Sequence, residues 1–156
     1  MKRASTRRLP LSSSFSPRLE ILEDRWCPAV TTRVVEGHIL QVFGDRGANV
    51  IEINQHGSQV SVTGDGARTQ TFSGIDTIRV NTWAGDDLVR FFFEPNDSRP
   101  RAEYSFAADL GAGNDSFTFV ALPTSATPPP DPDIIPCIEV AVQGGAGQDT
   151  FHTMVG

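Results

Sequence analysis

A short glycine motif recurs four times in this sequence, and each copy stands directly before an apolar stretch. The copies share a Gly-x-Asp or Gly-x-Asn core: Gly47-Ala48-Asn49, Gly85-Asp86-Asp87, Gly113-Asn114-Asp115 and Gly147-Gln148-Asp149. Successive copies are 38, 28 and 34 residues apart. Repeats with a period of about 20–50 residues are typical of stacked supersecondary units, since no single unit buries its apolar face alone. The spacing therefore predicts a repeat architecture with one such turn in each unit.

The residue types of each motif fit a tight turn between two strands. Glycine adopts a positive φ without steric cost, and the Asp or Asn side chain caps the turn by bonding nearby backbone amides. The neighbouring segments, such as Val50-Ile51-Glu52-Ile53 and Ile78-Arg79-Val80, alternate apolar and polar residues and are rich in β-branched types, which predicts strands. No sustained helical period follows Arg25. We therefore predict an all-β fold, a parallel β-solenoid of few coils similar to a β-roll or β-helix; the alternative is an antiparallel β-sandwich.

The chain divides into a leader and a body. Residues 1–29 begin as a basic, Ser-rich stretch that is poor in apolar side chains, a composition that favours disorder. Residues 30–156 form the predicted β-repeat domain, which is interrupted at 122–136 by a loop with six Pro in fifteen residues. Because proline supplies no donor to a strand ladder, we expect this loop to be an extended surface segment.

Charge is distributed unevenly between these two parts. Residues 1–25 carry a net charge of +3 and residues 26–156 a net charge of −9, which together give the −6 of the whole chain. An acidic body argues against nucleic acid as a partner, because phosphate binding needs a cationic face. No apolar run approaches the ~18 residues of a transmembrane helix, so we expect no integral membrane segment.

Residue types that carry out catalysis form no recognisable pattern. Cys27 and Cys137 are the only cysteines, and whether they pair is left open by their spacing. The three histidines, His38, His56 and His152, have no partner at metal-site spacing, and the chain has neither a nucleophile elbow nor a phosphate loop. We therefore predict no catalytic residue and no enzymatic activity.

The last glycine motif resembles the haemolysin-type (RTX) calcium repeat. Residues 144–152, GGAGQDTFH, match every defined position of G-G-x-G-x-D-x-U-x, and residues 110–117 lack only the first glycine. The resemblance implies calcium as the cofactor, with ligands from the motif positions Asp86, Asp87, Asn114, Asp115 and Asp149. The copies here are not tandem as they are in that family. The alternative is a column of Asx-capped glycine turns that holds no metal.

A second resemblance covers the start of the chain. Leu22-Glu23-Asp24-Arg25 and Pro28-Ala29 follow a basic, Ser-containing leader. This arrangement is similar to the LEDR–PA N-terminal motif of planctomycete secreted and surface proteins. The resemblance implies that the protein is exported and is extracellular or attached to the cell surface.

These observations predict a non-enzymatic extracellular or cell-surface β-repeat module with a structural or adhesive role, for which calcium is a candidate ligand. The expected partners are a surface protein or a glycan. We also expect the repeat domain to associate end to end with a second copy of itself. Two alternatives remain: a truncated fragment of a larger surface protein, and a β-helix enzyme acting on polysaccharides.

Overall fold

The computed structural model describes residues 29–95, 102–123 and 137–156. The predicted leader, Cys27 and most of the Pro-rich loop lie outside the described residues. The described ranges contain β-strands and no helix, which confirms the all-β prediction. The strands are β1 (Thr31–Val35), β2 (Ile39–Phe43), β3 (Val50–His56), β4 (Gln59–Gly64), β5 (Gln70–Phe72), β6 (Thr77–Asn81), β7 (Leu88–Glu94), β8 (Glu103–Asp109), β9 (Ser116–Ala121), β10 (Cys137–Gln143) and β11 (Thr150–Val155).

The strands form two mixed sheets. Sheet A has the order β1-β2-β6-β8-β10, and sheet B has the order β11-β9-β7-β3-β4-β5. Strands β2, β6, β8 and β10 pair in parallel in sheet A, as do β3, β7, β9 and β11 in sheet B. The antiparallel pairs are β1–β2, β3–β4 and β4–β5, and all three lie at the end where the described chain begins.

The core lies between the two sheets. Alternation along each strand turns every second side chain inward, so that Val89, Phe91 and Phe93 of β7 are buried. The ring of Phe91 from sheet B stacks on the ring of Phe106 from sheet A, with 4.3 Å between their centroids. Phe117 of sheet B stacks on the same Phe106 ring at 5.5 Å. The sheets are therefore packed face to face through aromatic rings, with Val, Ile and Leu side chains filling the rest of the core.

The two ends of the sheets differ. At one end the antiparallel strands β1, β4 and β5 flank the parallel strands. At the other end β10 and β11 are the last strands, and none of the described residues pairs with their outer edges. Strand β11 is exposed along its whole length, including the apolar side chains of Phe151, Met154 and Val155. This second end therefore presents unpaired backbone and apolar surface together.

Candidate functional site

The four glycine motifs lie on top of one another. Each connects a strand of sheet A to the next strand of sheet B: β2 to β3, β6 to β7, β8 to β9 and β10 to β11. Parallel bridges join Ala84 to Ala112 and Ala112 to Ala146. The Gly85 amide donates to the Ala112 carbonyl at 2.8 Å, one of the hydrogen bonds that run from turn to turn. We call the stack formed by residues 44–49, 82–87, 110–115 and 144–149 the turn column.

Close backbone approach in the turn column requires glycine. Gly111 and Gly145 have φ of +88° and +89°, a left-handed region that side chains rarely adopt. A Cβ at Gly111 would lie 1.9 Å from the Trp83 carbonyl oxygen, and one at Gly145 would lie 1.8 Å from the Gly111 oxygen. In the second turn the equivalent position is Trp83, whose φ is +68° and whose side chain is exposed. The glycines thus set the spacing between successive turns.

The aspartates of the motifs bond each turn to the one before it. Asp87 Oδ1 accepts a hydrogen bond from the Asn49 amide at 2.8 Å. Asp115 Oδ1 accepts from the Asp87 amide at 2.8 Å, and Asp149 Oδ1 accepts from the Asp115 amide at 3.1 Å. Each carboxylate therefore reaches back by one turn. We call the side chains of Asp87, Asp115 and Asp149 the carboxylate ladder.

A second row of the same kind lies at the neighbouring position of the motif. Asp86 Oδ1 accepts from the Asn114 amide at 2.8 Å. Asn114 Oδ1 accepts in turn from the Gln148 amide at 3.1 Å. All five residues predicted as calcium ligands thus lie in the turn column, and each uses one side-chain oxygen to hold a backbone amide of an adjacent turn.

Two members of the carboxylate ladder are buried. Asp87 is 2% exposed and Asp115 is 1% exposed. The Oδ2 atoms of both are buried and have no hydrogen-bond partner among the described residues. Burial raises the pKa of Asp87, an effect opposed by the hydrogen bond from the Asn49 amide and by the nearby Thr82 side chain. Burial likewise raises the pKa of Asp115, and the nearby charge of Asp149 adds to the rise while the Asp87 amide opposes it.

The carboxylate ladder leaves few oxygens for a metal ion. The described ranges contain no group of three or more His, Cys, Asp or Glu side chains placed to hold a metal. Because one oxygen of each candidate ligand is already bonded to an amide, the acceptors left over in the buried row are the Oδ2 atoms of Asp87 and Asp115. Calcium prefers six to eight oxygens, three to four times that number.

Sequence reasoning placed the aspartates in turns but missed their partners. The motif predicted side chains that cap their own turn, whereas the observed bonds join different turns across 28 to 38 residues. It also missed Asp65, whose Oδ1 accepts from the Val50 amide at 2.7 Å and so completes the first turn. The sequence Gly64-Asp65-Gly66 was the available signal, but it follows a different strand, β4.

The histidines and the described cysteine lie apart from the turn column. His56 pairs with Glu94 at 3.1 Å, and His38 Nδ1 lies 2.9 Å from the Glu36 carbonyl oxygen. Cys137 is exposed and is a free thiol within the described residues. Its pairing with Cys27 stays a prediction, because Cys27 lies outside those residues.

No protein-family model, curated protein or solved structure matches this chain. Residues 29–95, 102–123 and 137–156 include no helix that is both long and apolar enough to span a membrane. The functional conclusion therefore depends on the turn column and on the surfaces of the two sheets.

Proposed function

We propose that this chain is a non-enzymatic β-repeat module, exported to the extracellular space or the cell surface, with a structural or adhesive role. The observation that carries the proposal is the turn column. Its polar side chains bond one turn to the next rather than converging on a cleft. Side chains committed in this way stabilise a repetitive scaffold. The scaffold in turn presents two broad sheet faces to partners.

Within this proposal the fold is a parallel β-solenoid of four coils. Six of the nine strand pairings in the described residues are parallel. From β6 onward each coil has one strand in sheet A, one motif turn and one strand in sheet B. The stacked motif turns support this interpretation over an antiparallel sandwich, in which successive turns would not lie in one column.

The proposed role is tested by the location of the protein in the cell and by its lack of activity on polysaccharides. We expect the full chain, expressed in its native cells, to be accessible to a membrane-impermeant biotinylation reagent and to sediment with cell-envelope fractions. Retention only in the cytosol would overturn export. Release of oligosaccharides from acidic polysaccharides by the purified chain would favour the β-helix enzyme instead.

Calcium binding is a second candidate function, and the unpartnered oxygens of the carboxylate ladder favour it. Asp87 and Asp115 would hold the ion through their Oδ2 atoms. A bound calcium supplies positive charge and oxygen coordination between adjacent turns. The alternative is a metal-free column, since the amide bonds already join the turns.

Calorimetric titration with calcium separates these two candidates. If calcium binds, the full chain releases or absorbs heat on calcium addition and Asp115→Ala abolishes the signal. Asp76→Ala is the matched control, because Asp76 lies outside the turn column and its side chain accepts a hydrogen bond from the neighbouring Thr77 hydroxyl. Absence of heat from a chain with an intact β spectrum would refute calcium binding.

The open end formed by β10 and β11 supports end-to-end self-association with a second copy of this chain. Strands β10 and β11 are about 23 and 20 Å long, and the two packed sheet layers together are about 20 Å thick, so the open end presents roughly 450 Å² of surface per partner. A total near 900 Å² is at the small end of specific interfaces, so we propose a weak dimer. In a two-fold dimer β10 pairs with its counterpart and β11 with its own, both antiparallel.

A further inference from the structure

A depression of about 350 Å³ lies on the outer face of sheet A, close to the turn column. Its first row of lining side chains runs across four parallel strands in register: Gln41, Arg79, Ala107 and Ala141. Ala107 and Ala141 end at Cβ, whereas the neighbouring Gln41 and Arg79 are long. Two adjacent alanines beside long side chains leave a hollow, so the sequence of this row produces the depression directly.

The second row supplies polar groups and an aromatic ring. It lies two residues further along the same strands and consists of Phe43, Asn81, Asp109 and Gln143. Arg33 of β1 donates to the Gln41 side-chain oxygen through Nε at 3.2 Å, and its guanidinium lies 5.8 Å from the centre of the Phe43 ring. Arg33 therefore holds the side-chain oxygen of Gln41, and the NH₂ group of Gln41 is left to donate.

The depression is balanced in charge and in hydrogen-bonding character. Arg79 and Asp109 both line it and both are exposed, and no ion pair joins them in the part of the chain that the structure describes. Asn81 Oδ1 is buried and has no hydrogen-bond partner there either. A buried acceptor without a partner is rare in folded proteins. Rotation of this amide toward the depression would let a ligand hydroxyl satisfy it.

We propose that this depression binds one or two rings of a neutral sugar. Sugar hydroxyls both donate and accept, which matches a site that holds a guanidinium, a carboxylate and side-chain amides. The C–H face of a sugar ring matches the alanine floor and the Phe43 ring, and the volume lies within the range of about 300–1,000 Å³ for small-ligand sites. Carboxylated sugars fit less well, because Asp109 lines the site and residues 26–156 carry a net charge of −9. The inference deepens the proposed adhesive role by naming its ligand class.

Nuclear magnetic resonance titration of the isotope-labelled full chain tests the proposal. The probes are cellobiose, maltose, lactose and N,N′-diacetylchitobiose, with digalacturonate as the acidic comparison. We expect at least one neutral disaccharide to shift the amide resonances of Ala107 and Asn81 with millimolar affinity, as is usual for small contact areas. Ala107→Leu fills the floor and should weaken this binding at least tenfold. Arg79→Gln removes the charge and shortens the side chain but keeps a hydrogen-bond donor, and it should weaken binding less.

Thr118→Leu is the matched control, since Thr118 occupies an outward position on sheet B and lies outside the depression. Unchanged binding by Ala107→Leu, tighter binding of digalacturonate, or no shift with any neutral disaccharide would each overturn the inference. These results are distinct from failure of the proposed function. If the chain lies at the cell surface but binds no sugar, the sugar site is refuted and the structural role stands. If it binds sugar but is confined to the cytosol, the site stands and the proposed role is refuted.

Discussion

Replacement of Gly111 by Ala tests how closely the turns of the column approach. The Cβ of alanine would lie 1.9 Å from the Trp83 carbonyl oxygen, whereas real Cβ contacts stay beyond about 3 Å. The third turn would therefore have to move by about 1 Å relative to the second. That movement strains the hydrogen bond from the Ala112 amide to Trp83 and the one from the Ala146 amide to the Gly111 carbonyl, which measure 3.1 and 2.9 Å.

The magnitude follows from two separate costs. A left-handed conformation costs an L-residue roughly 1–2 kcal/mol, partly offset by the smaller entropy of the unfolded chain with Ala. Loss of two turn-to-turn hydrogen bonds adds about 1 kcal/mol each. We expect Gly111→Ala to lower the free energy of unfolding by about 3 kcal/mol, a large part of the 5–15 kcal/mol typical of a domain.

Gly74→Ala isolates the first cost, the left-handed conformation. Gly74 has φ of +77°, close to the +88° of Gly111, but a Cβ there meets nothing within 4 Å. This variant should lose only about 1 kcal/mol, the cost of the left-handed conformation. Urea unfolding followed by circular dichroism measures both variants. Equal destabilisation of the two would refute the close approach of the turns, because it would leave conformational strain as the whole effect.

Three further variants test the carboxylate ladder, the core and the open end. Asp115→Asn should raise the melting temperature at pH 7 and change it less at pH 4. Burial raises the folded-state pKa of Asp115, so the folded chain loses stability as the pH rises through that pKa and the buried carboxylate ionises. Asp109→Asn is the control, because Asp109 is exposed. A larger drop in the melting temperature of Asp115→Asn at pH 7 than at pH 4 would contradict the reasoning. Phe106→Ala should cost about 3–5 kcal/mol in urea unfolding, against about 1 kcal/mol for half-buried Phe92→Ala, because only Phe106 stacks on two rings of the facing sheet. Thr153→Pro should abolish concentration-dependent dimers in analytical ultracentrifugation while the spectrum stays β; a monomeric wild-type chain at high concentration would refute self-association.

The strands and the turns that join the two sheets were predictable from local patterns. Segments such as Ile78-Arg79-Val80 alternate inward and outward side chains, and the structure buries Ile78 and Val80 while Arg79 is exposed. Gly-x-Asp before an apolar run located the turns through the glycine conformation, which is set within a few residues. These constraints are local, so the sequence alone carries them.

The antiparallel strands at one end were not predictable in the same way. The segment Val60-Ser61-Val62 indicates a strand, but nothing in it specifies that β4 turns back on β3 and that β5 follows antiparallel. The outward rows of sheet A depend on a register across four strands, and that register is set by the whole stack. The depression on sheet A therefore emerges only when distant residues such as Gln41 and Ala141 are brought side by side.

The first turn of the column shows how position in the stack determines residue type. Each ladder aspartate accepts from an amide of the preceding turn, but Asn49 belongs to the first turn of the described chain, and none of the described residues supplies it with such an amide. Its Oδ1 accepts instead from the Asp45 amide of its own turn at 3.0 Å, and its Nδ2 donates to Asp45 Oδ1 at 3.1 Å. Asp65 Oδ2 lies 3.5 Å from the same nitrogen. A carboxylate at this buried position would face two others without a partner amide from a preceding turn, whereas the neutral amide of Asn49 bonds to both of them. The departure of the first motif from Gly-x-Asp is thus a consequence of the direction in which the carboxylate ladder runs.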